Sequence, residues 1–350
     1  MACSSDWARR LDVVEDDAEV RIAVIGAGGV LGGFLARSLR EQGHSVLRVV
    51  RRPDGDTQTR SIDLRDREQL LELASACDIV VSTVREPDLT PERTVLAGGG
   101  TLMSLASLTL KDRRELVAYA EDNKQGAVVV HAGMNPGVSS VILKELLRRE
   151  PQADAAEIVL TLSAKGSGGR HGMVTAGIPM MKSRRRHATG IVELPAPFGR
   201  RRCIAVGNGS EGFFGEVGSG IERRLYWCFY EDATQRMLLA LNRLGAMRVL
   251  PDRLLVAGHR KVPQALSQEP KRDLVAVTLG GRTLRAVSLK GDGDYAMTVT
   301  ASVAMVELLL DAGRTGALAR GCWGAEEVFG YEPLLAALNA RGIVVHECAP

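Results

Sequence analysis

The stretch Val20 to Gly33, VRIAVIGAGGVLGG, constrains this chain more than any other. Val20 to Ile25 is a short apolar, β-branched run suited to a buried parallel strand. Val30 to Gln42 carries apolar residues at Leu31, Phe34, Leu35 and Leu39, the spacing of a helix face. Between them stand Gly26, Gly28, Gly29 and Gly32. A strand, a glycine turn and a helix in that order gather backbone N–H groups and the positive end of a helix dipole at one point, where a pyrophosphate is held without any charged side chain. Gly26, Gly28 and Gly32 read GxGxxxG, whereas Gly26, Gly29 and Gly32 read GxxGxxG; Leu31 stands where strict GxGxxG has its third glycine. Glycine serves any tight strand-to-helix turn. Here strand, turn and helix fall in register, so Gly26, Ala27, Gly28, Gly29, Val30, Leu31 and Gly32 are expected to cradle a dinucleotide.

The next segments repeat the pattern. Ser45 to Val50 reads as a second strand, and Arg51 and Arg52 follow where a site selective for NAD(H) would place a carboxylate against the ribose hydroxyls. A guanidinium there suits a 2′-phosphate, which points to NADP(H), although a solvated pair before Pro53 would read the same way. Arg60 to Ile62 is a short third strand, bringing Asp63 and Leu64 to the adenine edge. Arg65 to Cys77 is helical, and Asp78 to Thr83 is a fourth strand that carries Ser82, Thr83 and Val84 to the middle of the cofactor. Thr101 to Ser104 and Ala127 to His131 read as further strands, with a helix over Leu110 to Asp122 between them. The last of these strands enters a sharp turn at Asn135, Pro136 and Gly137, again on the cofactor edge, and a helix over Val138 to Arg149 follows. His131 and Asn135 are its polar members and candidates to face the nicotinamide.

At 350 residues the chain is long for one domain and comfortable for two. With 45 basic and 42 acidic residues it has no global field that calls for nucleic acid or an anionic membrane. The six cysteines are scattered, without a CxxC or histidines at ligand spacing, which argues for reduced thiols in a cytoplasmic protein and against a structural metal. Residues 1–18 are polar and acidic and read as a disordered tail, and no apolar run suggests a membrane span.

A second domain is expected from Pro151 to Tyr295. Ala156 to Ala164, Gly190 to Glu193, Arg202 to Val206, Arg224 to Phe229, Leu274 to Leu279 and Thr283 to Lys290 read as strands, the last two as a hairpin turning at Gly280, Gly281 and Arg282. Few helices interrupt them, so the sheet is mixed or antiparallel, covered by a helix over Thr234 to Leu244. Residues 296–350 are expected to return to the first domain through a long helix and a closing strand at Ile343 to His346. The glycine-rich stretch KGSGGRHG supplies Lys165, Arg170 and His171 as catalytic candidates, a mobile loop carrying cations and a titratable imidazole, or else merely a solvated hairpin tip. Lys182 to His187 and Arg200 to Arg202 are basic runs suited to a carboxylate or a carrier, or to solvent. Tyr226, Tyr230, Glu231 and Asp232 are further proton donors by type.

Taken in order, GAGGVLG at 26–32, GMNPGV at 133–138, DYAMTVTASVAMVELLL with Asp294, Tyr295 and Thr300, and GCWGAEEVFGYEPLLAALNARGIVV at 321–345 resemble the saccharopine dehydrogenase-like family, in the branch that includes trans-acting enoyl reductases. Asn135 stands where that family often has Asp. The resemblance implies an α/β protein, a Rossmann-type parallel sheet with a second α+β domain, and NADPH-dependent reduction of a C=N, C=O or C=C bond in a small or carrier-bound substrate. A cofactor-binding sensor on the same fold, without catalysis, is the alternative. An apolar long helix and an open last strand make a homodimer an expectation as well.

Overall fold

The computed structural model describes residues 21–52, 55–106, 108–163, 188–194, 199–206, 210–246, 249–256, 265–266 and 268–348. The tail at 1–18, the basic run at 182–187 and all three catalytic candidates, Lys165, Arg170 and His171, lie outside them.

The first half alternates strand and helix: β1 (Arg21–Ile25), α1 (Val30–Glu41), β2 (Ser45–Val50), β3 (Thr59–Ser61), α2 (Arg67–Ala76), β4 (Ile79–Ser82), α3 (Thr90–Gly98), β5 (Thr101–Ser104), α4 (Leu110–Asp122), β6 (Ala127–Val130) and α5 (Val138–Arg149). Ile22 through Ile25 are all buried, because a central parallel strand is covered on both faces. The second half runs β7 (Ala155–Leu162), β8 (Thr189–Leu194), β9 (Gly199–Ala205), β10 (Glu222–Phe229), α6 (Asp232–Leu244), α7 (Asp252–Leu255), β11 (Pro270–Leu279) and β12 (Arg282–Asp292). It closes with α8 (Asp294–Arg314), β13 (Gly321–Gly324), α9 (Ala325–Val328), α10 (Tyr331–Asn339) and β14 (Val344–Cys348).

The first sheet is parallel throughout, in the order β13-β6-β5-β4-β1-β2-β3. Its strand order reverses between β1 and β4, and in open sheets of this kind the ligand crevice lies at such a reversal, beyond the carboxyl ends of the strands. The second sheet, in the order β14-β12-β11-β7-β10-β9-β8, is mixed: β7 and β10 run parallel and the other neighbours antiparallel. The β11–β12 hairpin turns on Gly280 and Gly281, both at positive φ, as a two-residue turn that follows strand twist requires.

The architecture is the Rossmann-type α/β fold with a second sheet that the sequence implies, but two elements differ from expectation. β11 begins at Pro270 rather than Leu274, so it includes a charged segment that reads as loop in the sequence. The closing strand β14 pairs with β12 in the second sheet, and it is β13 that joins the first, against β6.

One apolar core runs through both halves. Ile22 and Leu35 of the first sheet layer, Val141 and Ile142 of α5, Ile158 and Val275 of the second sheet, and Val303 and Leu334 of α8 and α10 belong to it. α8 is long and apolar enough to cross a membrane, yet half of its most apolar stretch is buried within the fold, where it packs against α1 and α10. Its hydropathy therefore has a source in packing. On the far side of the first sheet, α4 is bound to α9 by Arg113, whose guanidinium reaches Glu326 at 2.7 Å and Glu327 at 2.8 Å.

Candidate functional site

The glycine turn after β1 is built for close approach. Gly26 has a φ of +85°, and its amide and that of Ala27 donate to the Val49 carbonyl at 2.9 and 3.2 Å. A Cβ on Gly32 would sit 2.4 Å from the Gly26 carbonyl oxygen, so α1 can start this near to β1 only with glycine there. Gly28 is different: it is exposed, and a Cβ would meet nothing nearer than Val50 Cγ1 at 3.7 Å. No side chain caps α1, so the amides of its first turn are open to a ligand, with the helix dipole behind them. This turn fits the pyrophosphate of a dinucleotide.

The other residues expected to meet a cofactor lie at or just beyond the carboxyl ends of β2, β3, β4 and β6. Arg51 and Arg52 are exposed at the end of β2, and the Arg51 carbonyl accepts from the Ser61 hydroxyl at 3.1 Å. Arg48, two residues inside β2, is instead engaged by Asp56 at 3.0 Å. Asp63 follows β3 exposed, its Oδ1 accepting from the Arg65 amide at 3.0 Å, with Leu64 half-buried beside it. Ser82 and Thr83 turn inward: the Ser82 hydroxyl donates to the Val84 carbonyl at 3.1 Å, and both the amide and the hydroxyl of Thr83 donate to Ile25, at 3.1 and 2.9 Å. These two hydroxyls hold the floor of the turn. After β6, the Asn135–Pro136–Gly137 turn closes on itself, the Gly133 amide donating to Pro136 and the Val138 amide to Gly133, both at 3.0 Å. His131, expected as a candidate to face the nicotinamide, is instead held inside the fold. It is buried at a φ of +55°, and its Nε2 lies 3.0 Å from the Leu108 carbonyl, which can only accept, so Nε2 carries the proton. Burial holds its pKa below the usual imidazole value, and the ring is neutral.

Where the Asn135 turn meets the second sheet there is a polar cluster, two of whose members, Lys271 and Asp273, sequence reading does not single out. Asn135 Nδ2 donates to Asp273 Oδ2 at 2.6 Å, and Lys271 Nζ lies 3.1 Å from the same oxygen. Asp273 Oδ1 accepts the Thr161 amide at 3.0 Å, so both oxygens of a fully buried carboxylate are occupied. Lys271 also faces Asp294, the first residue of α8, at 3.8 Å. Burial works against the charge on Lys271, but the carboxylates of Asp273 and Asp294 outweigh it and raise its pKa. Burial pushes the Asp294 carboxyl up to about 6, against the pull of Lys271. Among the described residues, two buried acceptors here have no hydrogen-bond partner: Asn135 Oδ1 and Asp294 Oδ1. The cluster holds two carboxyl groups against one ammonium, and it abuts the dinucleotide edge, since the Thr298 methyl lies 4.0 Å from where a Cβ on Gly133 would be.

A signal for this cluster existed. Lys271 and Asp273 alternate in phase with Val275 and Val277, so the charged pair shares the face of β11 that meets the core running through both halves. Of the other proton donors suggested by residue type, Glu231 borders the cluster, its charge helping to raise the Asp294 pKa, while Tyr226 and Asp232 make contacts outside it. Glu231 accepts from Ser163 at 2.8 Å, Asp232 pairs with Arg201, and the Tyr226 ring packs against Gly190.

The sequence profile of the NAD dependent epimerase/dehydratase family matches residues 22–146, which span the glycine turn and all the strands of the first sheet except β13. No curated protein sequence matches the chain. Among solved structures, apo saccharopine dehydrogenase (L-Glu forming) from Saccharomyces cerevisiae superposes with a TM-score of 0.62 at 11% identity, covering 94% of this chain and 100% of its own. A mutant meso-DAPDH of Clostridium tetani, solved with DAP, gives 0.50 at 10% identity over 90% of this chain and 96% of its own. At such identities the likeness is one of fold: a Rossmann-type parallel sheet followed by a second, mixed sheet.

Proposed function

We propose that the chain is an NADP(H)-dependent oxidoreductase of the saccharopine dehydrogenase-like type, reducing an imine formed from a keto acid and an amine. One observation carries this reading: the uncapped, glycine-lined start of α1 and the Lys271–Asp273–Asp294 cluster lie on one edge of the fold, joined through the Asn135 turn. The glycine turn would hold the pyrophosphate through backbone amides, with Arg51 and Arg52 on the 2′-phosphate and Asp63 and Leu64 near the adenine. When bound, the nicotinamide supplies the hydride, and the protein supplies position and charge.

The cluster favours one of the three acceptor types. With one more carboxyl group than ammonium it stabilises a positive centre beside Asp294, which an iminium carries and a ketone or an alkene does not. The NAD dependent epimerase/dehydratase profile and the saccharopine dehydrogenase fold both support the cofactor class.

The test is direct. The purified protein, titrated with NADPH and NADH by fluorescence or calorimetry, binds NADPH more tightly. It then oxidises NADPH with a panel of keto acid and amine pairs, and more slowly or not at all with ketones or enoyl thioesters. Absence of NADPH binding defeats the reading. Tight binding with no oxidation across the panel assigns the chain as a cofactor-binding sensor instead.

A further inference from the structure

The junction cluster contains several titratable groups, and the structure distinguishes their capacities. Asp273 is fully buried with both oxygens occupied, by Thr161 on one side and by Asn135 and Lys271 on the other, so neither oxygen is open to a ligand. Lys271 is buried between two carboxyl groups that hold its proton, which makes it a poor acid. Tyr295, next in α8, has a pKa raised by burial, with Asp294 adding to it, and holds its proton at neutral pH. Glu231, from the start of α6, accepts from Ser163.

Asp294 differs from all of these. Its side chain is 19% exposed; the buried Oδ1 faces Lys271 at 3.8 Å, and the carboxyl also accepts the Ser163 amide. It opens α8 beside the Asn135 turn, while further along the same helix packs on α1. It is therefore the one carboxyl group of the Lys271–Asp273–Asp294 cluster that reaches the surface, since Asp273 is fully buried.

We propose that Asp294 is the acid of this site: it passes its proton to the nitrogen of a bound imine, with Lys271 and Asp273 as the positioning residues that hold it. This rests on the reductase reading above. In the step, the Asp294 O–H bond breaks and an N–H bond forms with the nitrogen lone pair. No electrons change oxidation level. The carboxylate left behind faces the new iminium on one side and the Lys271 ammonium on the other, so charge is created as an ion pair rather than as an isolated ion. Burial keeps a fraction of Asp294 protonated near neutral pH, as an acid of this kind requires.

The experiment uses the full chain and has two readouts. In the cofactor-free protein, infrared difference spectroscopy follows the protonated carboxyl band against pH. A band titrating near pH 6 that is absent in Asp294→Asn supports the proposal, and a carboxyl that is fully ionised by pH 4 overturns it. In the loaded protein, Asp294→Asn lowers kcat on the preferred keto acid and amine pair by roughly 100-fold or more while NADPH affinity stays within about twofold, and Asp294→Glu recovers part of the loss. Wild-type turnover with an Asp294→Asn variant equally active overturns the acid but leaves the reductase. A wild-type protein that neither binds nor oxidises NADPH overturns both.

Discussion

Asn135 and Asp273, 138 residues apart in sequence, meet at 2.6 Å and tie the ligand edge of the first sheet to the buried face of the second. Replacing Asn135 with alanine removes a donor from a buried carboxylate and is expected to cost about 1.5–3 kcal/mol, read from denaturant unfolding. Asn135→Asp, which restores the residue frequent in the family the sequence resembles, sets a second carboxylate against Asp273. It should be less stable than the alanine variant at neutral pH. The order should reverse on acidification, once the two carboxyl groups share a proton.

Gly32 and Gly28 should respond oppositely to alanine. At Gly32 the new methyl overlaps the Gly26 carbonyl, and the resulting shift of α1 is expected to cost roughly 1–3 kcal/mol of stability. At Gly28 the methyl has room within the protein, so thermal unfolding should barely change. The methyl would nevertheless stand where a pyrophosphate must approach, and NADPH affinity should drop. Unchanged affinity in Gly28→Ala would remove the turn from the cofactor site.

Arg51 and Arg52 are exposed at the end of β2. Their double replacement by alanine is expected to weaken NADPH by roughly 10- to 100-fold, the equivalent of one or two charge-assisted hydrogen bonds, and to leave NADH within about twofold. Equal losses for the two cofactors would take the 2′-phosphate away from this pair.

Asp294 gives stability a pH dependence of known sign. Its folded pKa of about 6 lies above the ordinary value of 3.8, so between those limits the folded state binds more protons than the unfolded one. The contribution is fully present below about pH 3.8 and is lost as pH rises through about 6. Asp294→Asn should remove this slope. Unfolding free energies of the two proteins, compared over about pH 4 to pH 7, should show the variant gaining on the wild type throughout the rise.

The Arg113–Glu326 pair, with both side chains 4% exposed, makes a different prediction. Arg113→Ala strands a buried carboxylate and should cost about 3–5 kcal/mol in chemical denaturation. Joint replacement of Arg113 and Glu326 by methionine and leucine should cost much less, since then no charge is left uncompensated.

Local chemistry made much of the fold legible. An apolar run, a glycine cluster and an amphipathic segment suffice to place β1 and α1, and Thr101–Ser104 and Leu110–Asp122 occur at the bounds their patterns suggest. Pairing partners are another matter. The alternation of Val344 to Cys348 is compatible with either sheet, and only long-range packing puts it beside β12. The same limit hid the junction cluster. Lys271 and Asp273 look like solvated strand-end residues until Asn135, Lys271 and Asp294 are seen compensating one another from three distant segments. His131 was misleading for a backbone reason, since nothing in its neighbours announces a left-handed conformation at a non-glycine residue that turns the ring toward Leu108.

The late arrival of β13 has a cost for anyone dividing this protein. Ala127–Val130 of β6 is shielded on one side by residues synthesised almost two hundred positions later. A fragment ending at residue 150 would bare a ladder of unpaired amides and carbonyls on an alanine-valine ribbon, the kind of seam along which chains stack into aggregates. The first half therefore becomes a finished object only when the rest of the polypeptide has been made and has come back to seal it.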